Sequence, residues 1–442
     1  MKSPAADPNL SQLLATLRAV SAPNVSQEVQ LRRRLRAASS LRSLAEQEHW
    51  RPEMMMVGAI RPIVSLLSDS EVELAAARIL RPLAETEACR ASILAANALP
   101  RLIAMTNYGT AEIREEAAAV LGALAYPEQY KIRVLAAGAV PALVEALAAA
   151  VPHLPNEAKG QGPMDTFASA GTAESSMTSW QTRLATEAAA TLCKLAAGSE
   201  DTKLAIVLER AIPYLVEMLS CPCRRTCLEA MRLLGELCDL TEGRAAIAES
   251  GALRVPADVS EQIRATSMPV PNRGGIVVPV GEPGGPLVDL LNSADLDVQA
   301  EAAAVIAALG TRREDPLEPG ESPAFDGALL ILSAGTLTKL VDMLSNANRR
   351  GKTQAARAMF GIAVPEVEEN RTAIVAAGSL LPLVAIVRAG DGSCAEGRAW
   401  AASTLRLLAS SPARRRAIED AVPIVAPHGR RELMAPIHAY CF

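Results

Sequence analysis

The chain of 442 residues carries 44 basic against 49 acidic side chains, a formal net charge of −5, and is half apolar but only 3% aromatic. An apolar fraction built from Ala, Leu, Val and Ile suits closely packed helices and is poor material for β-sandwiches or barrels. The charge balance excludes a generally basic nucleic-acid binder and a disordered polyampholyte; length alone would suggest roughly three domains of about 150 residues.

At the N-terminus, MKSPAADPNL has no apolar core of the kind a signal peptide needs, and Lys2 stands where N-myristoylation requires glycine. No stretch approaches the roughly 18 uninterrupted apolar residues of a membrane span. The Arg-rich LRRRLRAASSLRS runs into Ala37-Ala-Ser-Ser-Leu-Arg-Ser-Leu-Ala45, a helical pattern that recurs along the chain. It reads as a partial capping copy within residues 1–57, ahead of a repeat domain expected over 58–442.

A small-residue dipeptide, an aliphatic residue and often Pro then return in order. The copies are Gly58-Ala-Ile-Arg-Pro-Ile-Val, Asn97-Ala-Leu-Pro-Arg-Leu-Ile, Gly138-Ala-Val-Pro-Ala-Leu-Val and Arg210-Ala-Ile-Pro-Tyr-Leu-Val. Gly251-Ala-Leu, Gly335-Thr-Leu-Thr-Lys-Leu-Val, Gly378-Ser-Leu-Leu-Pro-Leu-Val and a last half-turn at Ala421-Val-Pro-Ile-Val follow, spacing the copies by 39, 41, 72, 41, 84, 43 and 43 residues. Gly ends one helix because it tolerates the left-handed cap, and Pro opens the next, where its missing N–H costs nothing. A polar break such as Ser68-Asp-Ser-Glu71 follows, then a short helix and a longer one that closes on Ala-Ala-x-x-Leu-x-x-Leu-Ala. That closing helix is predicted at 75–84, 117–125, 188–196, 230–238, 302–310, 355–363 and 401–409. Its 3–4 spacing of Ala and Leu makes one stripe that packs closely on a neighbour.

The two long intervals contain segments that do not fit the repeat. Residues 151–180 are rich in Ser, Thr, Gly and Ala, and 254–286 and 312–327 are rich in Pro and Gly. Such composition cannot bury enough apolar surface to fold alone, so all three are expected to be flexible insertions.

A period near 41 residues with three helices, the Gly-Ala-Ile/Val-Pro-x-Leu-Val opening and the Ala-x-x-Leu-x-x-Leu-Ala closing helix together resemble the armadillo repeat. The resemblance covers nearly the whole chain, from about Asn9 onward. It implies an all-α fold: a right-handed α-solenoid of about seven repeats plus partial caps, whose third helices line a concave groove that binds extended peptides. HEAT repeats, the nearest rival, have two helices per unit and lack the Gly-Ala-Ile-Pro start. In nuclear-import adaptors of the family, Trp and Asn ladders on the third helices clamp a basic peptide. The Asn position here holds Ser43, Pro82, Ala123, Lys194, Glu236, Ala308, Gly361 and Leu407, and the Trp position Ser39, Arg78, Ala119, Ala190, Arg232, Ala304, Arg357 and Ser403. Both ladders are missing.

Arginines stand out instead. Arg78, Arg232 and Arg357 are expected to face the groove, with Arg42, Arg81 and Arg406 one step aside and Lys194 and Glu236 among their neighbours. Guanidinium groups pair in a bidentate way with carboxylate or phosphate, so an acidic or phosphorylated extended segment is the natural guest, and catenin-like relatives use basic grooves this way. The plainer alternative is surface arginines paired with neighbours such as Glu85 and Glu236. Pro82 and Gly361, inside third helices, are expected to disturb the groove locally.

Chemistry finds little support. His49, His153, His428 and His438 show no metal spacing, and no hydrolase, kinase or phosphate-loop motif occurs; Gly274-Gly-Ile-Val-Val-Pro-Val-Gly281 lacks the Lys-Ser/Thr and helix start that such a loop requires. Cys221-Pro-Cys223-Arg-Arg-Thr-Cys227, with Cys238 eleven residues on, is the best metal constellation, but Cys227 and Cys238 occupy apolar repeat positions. The eight cysteines are expected to be reduced thiols. Met54-Met-Met56 reads as packing. The reading is therefore a non-catalytic scaffold without cofactor or metal. It is expected in the cytoplasm or the nucleus, and it binds other proteins but neither nucleic acid nor membrane. The alternative is a substrate-recognition component associated with a ubiquitin ligase; a U-box of about 70 residues would have to precede the repeats, which start almost at Met1.

Overall fold

A computed structural model describes residues 10–18, 27–153, 180–255, 283–310, 327–333, 335–364, 367–388 and 395–425. Most of the three expected insertions, together with Gly274–Gly281, His428 and His438, lies outside them. The described residues are helical apart from short turns and one isolated antiparallel bridge, Arg254 to Gly284. They divide into two compact units, one running to Glu209 and the other beginning at Arg210.

The first unit opens with α1 (Leu10–Arg18) and α2 (Gln27–Glu46), and then repeats a motif of a short helix, a Pro-led helix and a long helix. The first repeat is α3 (Arg51–Met56), α4 (Ile60–Ser65) and α5 (Glu73–Leu83). The second is α6 (Glu87–Ala95), α7 (Leu99–Tyr108) and α8 (Ala111–Leu124). The third is α9 (Glu128–Ala136), α10 (Ala139–Ala150) and α11 (Trp180–Ala196), with α12 (Glu200–Leu208) following. The second unit holds α13 (Ile212–Met218) and α14 (Arg224–Leu237), then α15 (Thr241–Glu249), α16 (Pro286–Leu290) and α17 (Leu296–Gly310). Next come α18 (Gly327–Ser333), α19 (Leu337–Asn346) and α20 (Arg349–Ala363). The last repeat is α21 (Glu368–Ala376), α22 (Leu380–Arg388) and α23 (Ala395–Leu408), capped by α24 (Pro412–Val425).

The all-α repeat architecture is as the sequence implies, with one difference of order. The short helix follows the long one; after the polar break the long helix starts at once, at Glu73 or Ala111. The break residues cap that helix directly: Asn348 accepts from the Gly351 N–H at 2.7 Å, and Asp295 from those of Asp297 and Val298 at 2.9 and 3.1 Å. The junction between short and Pro-led helices needs a left-handed residue. Gly138 supplies it at φ 85°, whereas Asn97 and Arg210 adopt it at φ 58° and 59° without glycine's freedom.

Long helices of successive repeats pack on one another within each unit, α2 on α5, α5 on α8 and α8 on α11, then α14 on α17, α17 on α20 and α20 on α23. Their Ala and Leu stripe is buried, with Ala117, Leu121, Ala188, Leu192, Ala230 and Leu234 all fully enclosed. Small residues bring these helices close. Thr191 on α11 donates to the Ala118 carbonyl of α8 at 2.9 Å, directly beside Gly122. Gly361 does not break its helix, contrary to the expected disturbance. α20 runs through it, and a Cβ on Gly310 of α17 would lie 3.8 Å from the Gly361 Cα. Pro82 lies in the last turn of α5, which ends one residue later.

A basic residue, buried except at the half-buried Arg244, accompanies every repeat but one, a feature absent from the sequence reading. Seven positions before each junction stand Arg51, Arg90, Lys131, Lys203, Arg244, Arg371 and Arg414, with Ala328 as the exception. Most reach the C-terminal carbonyls of a long helix. Arg51 Nε donates to Ala45 O at 2.9 Å, Arg371 Nε to Ala363 O at 3.1 Å and Arg414 Nε to Leu408 O at 2.9 Å, while Lys131 reaches Ala197 O. A cation there satisfies orphan carbonyls and complements the negative end of the helix dipole.

Candidate functional site

Each long helix leaves only a narrow strip uncovered, because its other faces pack on the neighbouring long helices and on its own repeat. On α8 the strip is Glu112, Glu115, Glu116 and Ala123; on α11 it is Arg183, Glu187 and Lys194; on α14 it is Arg225, Glu229, Arg232 and Glu236. Gln354 and Arg357 lie on the strip of α20, and Glu396, Trp400, Ser403 and Leu407 on that of α23. The arginines singled out from sequence are thus on these strips. Arg42 and Arg406 are exposed beside them, and Lys194 is exposed at the end of its own.

In the first unit carboxylates of neighbouring repeats hold most of these arginines. Arg78 reaches Glu112 at 3.0 Å and Glu116 at 3.5 Å; Arg81 reaches Glu116 at 3.5 Å and Glu187 at 3.4 Å. Arg183 reaches Glu115 at 2.9 Å, a contact that outweighs partial desolvation and raises the guanidinium pKa further, aided by Glu112 and Glu116. Arg42 pairs within its own helix with Glu46 at 2.9 Å. Glu85, a candidate partner for the strip arginines, is instead held by buried Arg51 at 2.7 Å. These contacts tie three successive long helices together while leaving little net charge.

The second unit divides into two regions. Arg232 pairs with Glu229 at 2.8 Å and lies 3.6 Å from Glu301, which Arg350 also holds at 2.6 Å. Arg357 differs: among the described residues no carboxylate pairs with it, and its guanidinium carbon lies 5.9 Å from the centre of the Trp400 ring. Its Nε and the Oε1 of Gln354 are buried without a hydrogen-bond partner. Trp400 also meets Phe360 of the same helix α20, ring centres 5.1 Å apart and planes inclined by 52°.

Trp400, Gln354 and the glutamate partners are residues that sequence reasoning missed. The signal was present: three residues before the last six expected Trp positions stand Glu116, Glu187, Glu229, Glu301, Gln354 and Trp400. The same register that marks the arginines also marks what they touch.

Among the described residues no group of three or more His, Cys, Asp or Glu side chains is placed to hold an ion. Burial pushes the Cys227 thiol up to about 12, with Cys221, Cys223 and Asp295 adding to the effect, so at neutral pH it is protonated. Nor is any single helix, among the described residues, long and apolar enough to cross a membrane.

No family model matches the chain, and no curated protein matches it by sequence. Its fold is similar to that of an engineered protein of known crystal structure, at TM-score 0.59 and 24% identity, over 98% of this chain and 97% of that one. A second engineered protein aligns over 71% of this chain and 96% of its own length, at TM-score 0.50 and 23% identity. A designed armadillo repeat protein crystallised with a (KR)4 peptide aligns over 68% of this chain and 99% of its own, at TM-score 0.47 and 18% identity. These likenesses agree with the all-α repeat fold, in which three-helix repeats stack through their long helices within each unit.

Proposed function

We propose that this chain is a non-catalytic scaffold that binds partner proteins as extended segments laid across the strips of its long helices, with acidic or phosphorylated segments preferred. The reading rests on one observation: the long helix α5 presents Arg78 and Arg81 in one unit, and α14 and α20 present Arg232 and Arg357 in the other, on otherwise narrow strips. Extended ligands suit such surfaces because each repeat contributes one small subsite and the subsites add. An incoming carboxylate exchanges with an endogenous glutamate at Arg78, Arg81 or Arg232, and adds to the site at Arg357.

Affinity capture with the wild-type chain and with the variant Arg78→Glu, Arg232→Glu, Arg357→Glu, matched for helicity, tests the proposal. Partners that bind through acidic segments should be lost selectively from the variant. An identical set of partners would refute it and direct attention to other faces of the repeats.

A further inference from the structure

The strip arginines are not equivalent, and the difference locates where recognition is concentrated. Arg78, Arg81 and Arg232 already have carboxylate partners on their own or neighbouring long helices. A ligand that engages them must first displace those partners and leave a glutamate uncompensated, so the exchange brings little net gain. Arg357 carries no such cost. The nearby carboxylates are engaged elsewhere: Glu301 takes Arg350 and Arg232, and Glu396 accepts from the Trp400 indole N–H at 3.4 Å.

Three further observations point to a ligand. The Nε of Arg357 and the Oε1 of Gln354 are both buried and unpartnered, one turn apart on α20, so a donor and an acceptor of the same strip are left unsatisfied. Trp400, in contact with Phe360, backs the guanidinium, as Arg planes commonly stack on aromatic faces. Finally, α20 contains Arg349, Arg350, Lys352 and Arg357 and no acidic residue, so the local field favours an anion. One planar fork with an unused Nε matches one carboxylate, and the Gln354 amide oxygen suits a backbone N–H of the same segment.

We infer that Arg357, backed by Trp400 and flanked by Gln354, is the anchoring subsite for an Asp or Glu side chain of an extended partner segment, whereas Arg78, Arg81 and Arg232 join the repeats to one another. The inference rests on the scaffold reading above and names the place where its ligand is held.

Fluorescence anisotropy of a labelled hexaglutamate peptide at physiological salt tests it, with labelled hexalysine as control. Arg357→Gln should weaken hexaglutamate binding at least tenfold, and Arg357→Lys, which keeps the charge but loses the fork, several-fold. Arg78→Gln and Arg232→Gln should weaken it far less than Arg357→Gln does, and Arg101→Gln, exposed on α7 away from the strips, should stay within about twofold of wild type. In a Trp50→Phe, Trp180→Phe background, which leaves Trp400 as the only indole, saturating hexaglutamate should shift the emission, and Arg357→Gln should abolish the shift. If wild type binds and a folded Arg357→Gln variant binds equally well, the anchoring inference fails while the scaffold reading stands. If wild type binds hexaglutamate no better than hexalysine, both fail.

Discussion

Gly122 offers a test of the packing in which a single methyl group reverses the usual expectation. It lies on helical backbone in the last turn of α8, where Gly→Ala ordinarily stabilises a helix by up to about 1 kcal/mol. Here an added Cβ would fall 2.5 Å from Thr191 Oγ1 and 3.4 Å from Thr191 Cβ on α11. Thr191 is 1% exposed, and its hydroxyl is committed to the Ala118 carbonyl, so it has no free space to retreat into. Overpacking of this kind costs about 1–3 kcal/mol, and loss of the hydroxyl bond about 1 kcal/mol more. Gly122→Ala should therefore destabilise by about 1–3 kcal/mol net, lowering Tm by about 2–4 °C for each kcal/mol. In a Thr191→Ala background the clash is gone, and the same substitution should be neutral or stabilising. Urea unfolding of the four proteins, followed by circular dichroism, gives the cycle. A Gly122→Ala chain as stable as wild type, or a penalty unchanged by Thr191→Ala, would refute the close approach of α8 and α11.

Three further outcomes are expected. Arg210→Gly should raise stability by about 0.5–1 kcal/mol by relieving the left-handed strain at φ 59°, read as a higher urea midpoint. Arg371→Met should lower it by about 2–3 kcal/mol, because Ala363 O and the Ser410 hydroxyl lose their donors at 3.1 and 3.2 Å; an unchanged melting temperature would show that the buried bases are dispensable. Asp295 feels burial that raises its pKa, but the Arg224 hydrogen bond, the Val298 and Asp297 N–H groups and the Arg224 charge together hold it below the ordinary carboxylate value. A depressed folded pKa contributes stability that is present above the unfolded value, near pH 4, and lost as pH falls through the folded one, so Asp295→Asn should lower stability at neutral pH and flatten the acid limb of its pH profile.

Much of the fold was legible because its signals are local. Gly before a Pro-led aliphatic run states its capping role within four residues, and recurrence at 39 to 43 residues separates it from chance. The misplaced short helix shows the limit: a polar break looks the same whether the helix beyond it is long or short. Arg51, Lys131 and Arg371 were read over for a different reason. A single basic residue in a short polar helix ordinarily belongs to solvent, and only the stacking of the next repeat buries it to 4%, 1% and 7% exposure. Their period was visible; their burial was not. The candidate site divides the same way. The register placed Arg78, Arg232 and Arg357 on the strips, but which of them would find a glutamate depends on side chains one repeat away.

That dependence explains why Arg357 stands apart. Along the register three residues before the expected Trp position, Glu116, Glu187, Glu229 and Glu301 supply the acid that an arginine on the same or a preceding helix takes up. The pattern then changes: Gln354 replaces the acid on α20, and Trp400 replaces it on α23. Restoring the pattern with Trp400→Glu should give Arg357 the partner that Arg78 has. The result should be a more stable second unit and a weaker hexaglutamate site, two changes of opposite benefit from one substitution. If stability rises with no loss of binding, Arg357 is not the anchor; if binding falls with no gain in stability, the glutamates of the other repeats are not what holds the helices together.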